Sequence, residues 1–161
     1  MNNRYKVYRL MCILLLIDQI IKIVIRHSLN EFQEVKIIKN FFSIIYVQNT
    51  GAAFSIMKDA TLFLILLSVV FIIFLDKYIR KEESKLTKID IITYGMIMGG
   101  IYGNLIDRII HRKVTDYLAF DIFNYNFPVF NLADIAIVVG VGLYLIVLIK
   151  DKQRIRSKYN E

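Results

Sequence analysis

The sequence predicts an all-α membrane protein: a four-transmembrane-helix bundle with a small outer β platform and a short interfacial helix. Three observations lead there. Hydrophobic residues make up 57% of the 161-residue chain, above the roughly 45–50% of an ordinary soluble domain. They gather in four long runs instead of alternating with polar residues. Between those runs lie two segments dense in β-branched and aromatic residues. The single proline is Pro128, and no Pro-, Gly- or Ser-rich linker or internal repeat divides the chain. Residues 1–161 therefore read as one integral-membrane domain.

Taken in order, Leu10–Ile25 is apolar except for Asp18, Gln19 and Lys22. Ala60–Leu75 and Ile135–Ile149 carry no charge, and Ile91–Ile106 is apolar but rich in glycine. Each run is about 15–16 residues, or roughly 24 Å as helix, slightly short of a ~30 Å hydrocarbon core. Flanking Tyr, Arg and Lys extend each helix into the headgroup layer. The resulting spans lie at roughly 8–26, 59–77, 90–108 and 131–150. The amino terminus resembles a secretory signal, with a basic start and a short apolar stretch. No A-x-A-like site follows, and Asp18 and Lys22 interrupt the region, so it reads as a retained first helix.

Lysine and arginine set the direction. Arg4, Lys6 and Arg9 precede the first span, Lys77, Arg80, Lys81, Lys85 and Lys88 join the second to the third, and Lys150, Lys152, Arg154, Arg156 and Lys158 follow the fourth. The opposite side holds fewer, Arg26, Lys36, Lys39, Lys58, Arg108, Arg112 and Lys113, spread over longer segments. By the positive-inside rule both termini are cytoplasmic.

The outer segments are more than loops. Glu34–Gln48 is rich in Val, Ile, Phe and Tyr and is broken at Lys39-Asn40, the pattern of two strands and a turn. Asn49-Thr50-Gly51 punctuates the chain before Ala52-Ala53-Phe54, where a short interfacial helix is expected to open. Val114–Phe130 is similarly aromatic, with Tyr117, Phe120, Phe123, Tyr125, Phe127 and Phe130. A small sheet at headgroup depth suits a substrate that arrives partly in lipid.

Composition narrows the chemistry. A net charge of +7 raises nucleic-acid binding, but the bases cluster between and beyond the apolar runs, as topology requires. Cys12 is alone, His27 and His111 lie far apart as interfacial residues, and there is no His-Glu cluster, so no metal or cofactor is expected.

What remains is acidic. Asp116 and Asp134 fall where the third and fourth spans reach the outer face. An aspartate in lipid costs about 2.5–3.5 kcal/mol at mid-bilayer, so such residues are functional candidates. Asn131 is placed to cap the fourth helix, with Asp134 in its first turn, where the helix field favours a carboxylate. That explains Asp134 without catalysis, but not Asp116. If the two meet, they cannot both ionise, and one shared proton gives one acid and one base, the machinery of aspartyl proteolysis.

Other polar residues have structural explanations. Gly95, Gly99, Gly103 and Asp107 share one face of the third helix, and small residues there admit a neighbouring helix. Gly100, Asn104 and Arg108 form a second row, in which Asn104 and an Asp107–Arg108 pair can satisfy one another. Asp18 and Lys22, four apart, form either an intrahelical salt bridge or part of a charge path. A small transporter or ion-coupling subunit using Asp18, Lys22, Asp107 and Arg108 is the rival reading; a non-catalytic scaffold for lipidated partners is another.

Five motifs in order resemble the lipoprotein signal peptidases (signal peptidase II). They are Asp18-Gln-Ile-Ile-Lys22, Asn49-Thr-Gly-Ala-Ala-Phe54, Gly99-Gly-Ile-Tyr-Gly-Asn-Leu-Ile-Asp-Arg108, Val114-Thr-Asp-Tyr117 and Phe127-Pro-Val-Phe-Asn-Leu-Ala-Asp134. The resemblance implies a membrane aspartyl endopeptidase of the bacterial plasma membrane that cuts prolipoproteins just before a diacylglyceryl cysteine. It implies Asp116 and Asp134 as the catalytic pair. Asn49, Gly51, Gly100, Asn104, Arg108 and Asn131 would position substrate or hold the pair, with Asp18 and Lys22 supporting the bundle. The partners it implies are the lipidated precursor and membrane lipid, without nucleic acid, for a monomeric enzyme whose site faces outward. Ile101-Tyr102 and Ile135 are bulkier or less polar than the pattern leads one to expect, and both are expected to reshape the pocket wall.

Overall fold

A computed structural model describes residues 2–51, 60–123 and 125–159. The described elements run α1 (Asn3–Ser28), β1 (Glu34–Ile38), β2 (Phe42–Asn49), α2 (Thr61–Lys81), α3 (Lys88–His111), β3 (Val114–Ile122), β4 (Tyr125–Phe130) and α4 (Leu132–Tyr159). Three of these helices are long and apolar enough to cross a membrane: Thr61–Lys81, Lys88–His111 and the Leu132–Ile149 part of α4. The first helix is longer than its apolar run, because Arg4, Lys6 and Arg9 belong to it. The interfacial helix expected from Ala52 lies outside the described residues.

The third helix is the central element, packed between α1 and α4 and also touching α2. Its start is fixed by a capping box: Thr87 accepts from the Asp90 N–H, and the Asp90 carboxylate accepts from the Thr87 N–H. Its glycines set the packing distances. A Cβ on Gly95 or Gly99 would press on Leu10 or Leu14 of α1, whereas one on Gly100 would collide with the Ala133 carbonyl of α4. The two glycine rows read from the sequence therefore serve two different neighbours.

An apolar core of Val7, Ile72, Leu75, Ile79, Tyr94, Ile97 and Met98 joins α1, α2 and α3. Ile101 and Tyr102 pack against this core and are absent from the wall of the cavity described below. The expectation that they reshape that wall is thus corrected: a side chain two residues before Asn104 has turned to another face of the helix.

The strands form one antiparallel sheet in the order β1-β2-β3-β4, with the break at Lys39–Asn40 where the sequence places it. Only Arg112 and Lys113 separate α3 from β3, and Arg112 turns the chain in a left-handed conformation at φ 61°. The sheet is thereby pinned to the end of α3. Tyr46 and Tyr117 fasten it to Ile25 of α1 in a second small core.

Candidate active site

The pairing of β2 with β3 sets Val47 opposite Asp116 and Asn49 opposite Val114. Asp116, the third residue of β3, consequently sits beside Asn49. Fourth in the sheet, β4 delivers the chain directly to Asn131 and the first turn of α4, where Asp134 lies. Both aspartates line one cavity of about 320 Å³, together with Asn49, Asn104 and Arg108. Its remaining wall is apolar: Val114, Phe127 to Phe130, Ile135, Val138 and Val139. The expected role of Ile135 as a wall residue holds.

Three asparagines grip the pair. Asn131 is fully buried and donates its side-chain amide to Asp116 Oδ1 at 2.6 Å. Its own side-chain oxygen accepts from the Asp134 N–H at 3.0 Å, and its N–H donates to Asp134 Oδ2 at 3.1 Å. This is the predicted N-cap, with Asp134 completing the box. Asn49 donates to Asp116 Oδ2 at 3.0 Å while its oxygen accepts from the Gly51 N–H at 2.9 Å. Because a backbone N–H can only donate, the amide orientations of Asn131 and Asn49 are both fixed. Asn104 completes the set, donating to Asp134 Oδ1 at 2.8 Å.

Asp116 is only 3% exposed. Burial pushes its carboxyl up to about 7. The neighbouring Asp134 charge adds to the rise, and the amides of Asn49 and Asn131, with Lys22 beyond, oppose it. A carboxyl that holds a proton near neutrality next to a second carboxyl is the condition for one acid and one base.

Behind the pair lies a buried ion cluster. Lys22 bridges Asp18 Oδ2 at 2.9 Å and Asp107 Oδ2 at 3.2 Å, all three enclosed. Arg26 reaches Asp107 at 3.5 Å and donates to Thr115 at 2.9 Å, and the Thr115 N–H donates to Asp107 Oδ2 at 3.0 Å. Asp18 does more than support the bundle, since its Oδ1 accepts from the Ala133 N–H of α4 at 3.1 Å. The expected mutual satisfaction of Asp107 and Arg108 is corrected. Consecutive helix residues project about 100° apart, so Asp107 turns to α1. Arg108 instead donates to the Gly51 carbonyl at 3.0 Å and holds the segment that carries Asn49.

Reasoning from sequence missed Arg26, Gln19, Thr115 and Tyr117. Gln19 donates to the Gly103 carbonyl at 3.1 Å, and the Tyr117 hydroxyl accepts from the Leu132 N–H at 3.2 Å. For Arg26 a signal existed: Asp18, Lys22 and Arg26 recur every four residues and so share a face.

The family profile described as signal peptidase (SPase) II matches residues 10–150. The lipoprotein signal peptidase of Clostridium tetani is 39% identical over 140 residues, covering 85% of this chain and 88% of that protein. Its counterpart from Halothermothrix orenii is 39% identical over 142 residues, covering 88% and 94%. That from Symbiobacterium thermophilum is 38% identical over 133 residues, covering 83% and 87%. A bacterial membrane enzyme solved by the in meso method at 2.3 Å resolution superposes with a TM-score of 0.85 at 27% identity, over 92% of this chain and 90% of that one. Profile, sequence and shape agree over most of the chain: it belongs to the signal peptidase II family.

Proposed function

We propose that Asp116 and Asp134 are the catalytic pair with which this chain cleaves lipoprotein precursors, just before a diacylglyceryl cysteine. Family membership makes the chain a membrane aspartic endopeptidase that removes signal peptides from prolipoproteins. The observation supporting the assignment of the pair is the shared cavity, in which three asparagine amides hold both carboxyl groups.

In this reading the ionised carboxylate takes a proton from water as the water oxygen bonds to the scissile carbonyl carbon. The protonated carboxyl gives its proton to the carbonyl oxygen. The tetrahedral intermediate then collapses, its C–N bond breaks, and a proton passes to the departing amine of the cysteine. The apolar wall from Phe127 to Phe130 excludes water from the rest of the cavity and faces the lipid-bearing end of the substrate.

The finer placement follows the same reading. The first helix crosses the membrane as a fourth span, with both termini cytoplasmic and the cavity at the outer face of the bacterial plasma membrane. Its burial pattern supports this. Ile13, Leu16, Ile20 and Val24 are exposed while Asp18 and Lys22 are buried, the arrangement a helix adopts when lipid is its solvent. The enzyme works as a monomer, because one chain supplies every group named above.

The deciding experiment uses purified protein and a diacylglyceryl-modified precursor, followed on a gel. Asp116→Asn and Asp134→Asn are each expected to abolish cleavage while the protein still inserts in the membrane. Normal turnover by either variant refutes the assignment.

A further inference from the structure

We propose that Lys22 is a positioning residue that sets how the pair divides its charge: acting through Asn104, it keeps Asp134 ionised as the base and leaves the proton on Asp116. This rests on the pair being catalytic.

The Lys22 ammonium is completely enclosed, and its three donors find three acceptors. These are Asp18 Oδ2 at 2.9 Å, Asp107 Oδ2 at 3.2 Å and Asn104 Oδ1 at 3.0 Å. An ammonium has no acceptor capacity, so Asn104 must turn its carbonyl oxygen toward it. The Asn104 nitrogen then necessarily faces Asp134, where it donates to Oδ1 at 2.8 Å. The opposite orientation would set NH₂ against NH₃⁺ and a carbonyl against a carboxylate. The other Asp134 oxygen accepts from the Asn131 N–H at 3.1 Å, a donor that cannot reverse. With fixed donors on both oxygens, the ionised form of Asp134 is favoured.

Asp116 also meets two amide donors, Asn49 and Asn131, so the hydrogen-bond count does not separate the two. Two other features do. Asp134 lies in the first turn of α4, whose free N–H groups favour an anion, whereas Asp116 lies on a strand without such a field. Moreover, the amides on Asp116 are anchored by backbone N–H groups, while the Asn104 oxygen accepts from the Lys22 ammonium at 3.0 Å and, at a longer 3.3 Å, from the Asn131 amide, so a full charge supplies its shorter anchor.

The charged and titratable groups that act on Asp134 are Lys22 from α1, Arg108 from α3, and Asp116 and Tyr117 from β3, with Asp18, Asp107 and Arg26 grouped about Lys22 behind them. Asp18 and Asp107 face Lys22 and Arg26 and offset their charge. Lys22 therefore acts on the pair chiefly by orienting Asn104. In the reaction Asp134 receives the proton from water, and Asp116 supplies the one that reaches the carbonyl oxygen.

The test is the pH profile of kcat/KM with the full-length protein and a lipidated precursor. Asn104→Leu removes the donor to Asp134; it also removes one of the three acceptors of Lys22, while the Lys22 bridges to Asp18 and Asp107 remain. It is expected to slow turnover and to move the acid limb, which reports the base, upward by about one pH unit, with the alkaline limb unmoved. Lys22→Met is expected to move the acid limb the same way, with a smaller upward movement of the alkaline limb because the Lys22 charge also opposes the rise at Asp116, and Lys22→Arg, still a pure donor, to restore both wild-type limbs. Should Lys22→Met fail to accumulate, Asn104→Ser joins Asn104→Leu as the second probe. Slower turnover with both limbs unmoved would mean a structural role only and overturns the proposal. Movement of the alkaline limb instead overturns it by reversing the division. Cleavage by Asp116→Asn or Asp134→Asn would overturn the catalytic pair itself; unmoved limbs with those two variants inactive overturn only the role of Lys22.

Discussion

Asn131 and Asp116 meet at 2.6 Å, and the same asparagine side chain caps the helix that carries Asp134. One residue thus holds the strand-borne and the helix-borne carboxyl in a common frame, and substitutions can separate its two tasks. Asn131→Ser keeps an N-cap oxygen but cannot reach Asp116, whereas Asn131→Ala loses both. Each variant is expected to lower kcat by about a hundredfold, the usual cost of one preorganised donor. Only Asn131→Ala should lose a further ~1 kcal/mol of stability in thermal melts, the cost of a missing cap. Equal stability of the two would refute the capping role.

The rate of precursor cleavage should depend on two ionisations. The Asp116 carboxyl titrates at about 7, so above that pH it loses its proton and the pair has no acid. The alkaline limb of kcat/KM is accordingly expected near pH 7, falling tenfold per unit beyond it, with an acid limb where the partner becomes protonated. A profile that stays level from pH 6 to 9 would contradict a proton held on Asp116.

The same displacement links pH to stability, with a definite sign. In the unfolded chain Asp116 titrates at its ordinary 3.8, and in the folded protein at about 7. Between those values the folded state binds more protons at Asp116, so the contribution of this group to stability is greatest at or below pH 4 and falls as pH rises toward 7. Thermal midpoints in micelles should show this contribution as a difference in slope between the wild type and a variant without the carboxyl. From pH 4 to 7 the midpoint of the wild type should fall relative to that of Asp116→Asn, which has no proton to lose there, and identical slopes would count against a buried, protonated Asp116.

Much of this was readable in the sequence because the membrane and the helix repeat impose strict rules. The uncharged runs Ala60–Leu75 and Ile135–Ile149 admit one interpretation, and the Lys39-Asn40 break separates β1 from β2 where alternation and turn chemistry place it. Asn131 as the cap of α4 follows from its position before an apolar run. What stayed hidden depends on packing between distant segments. Asp107 and Arg108 are adjacent in sequence and point to different partners, α1 and Gly51. Thr115 and Tyr117 acquire their roles only because β3 starts directly beneath α3 and beside α4. No periodicity encodes such contacts.

The approach of α3 to α4 offers a last prediction, because it fixes how far Asp134 stands from Asp116. A Cβ on Gly100 would collide with the Ala133 carbonyl and come within 2.7 Å of Ile137 Cγ1. The carbonyl is backbone and cannot turn aside, so Gly100→Ala must push the first turn of α4 outward, carrying Asp134 away from Asn104. A displacement near 1 Å is enough to cost about a hundredfold in rate, so cleavage should fall by that order while the protein still inserts. Gly142 is the internal control. Nothing lies within 4 Å of a Cβ added there, and alanine is the better helix former by roughly 0.5–1 kcal/mol. Gly142→Ala should cleave at the wild-type rate with an unchanged or slightly raised thermal midpoint. If both variants cleave alike, the contact between α3 and α4 at Gly100 does not set the geometry of the pair.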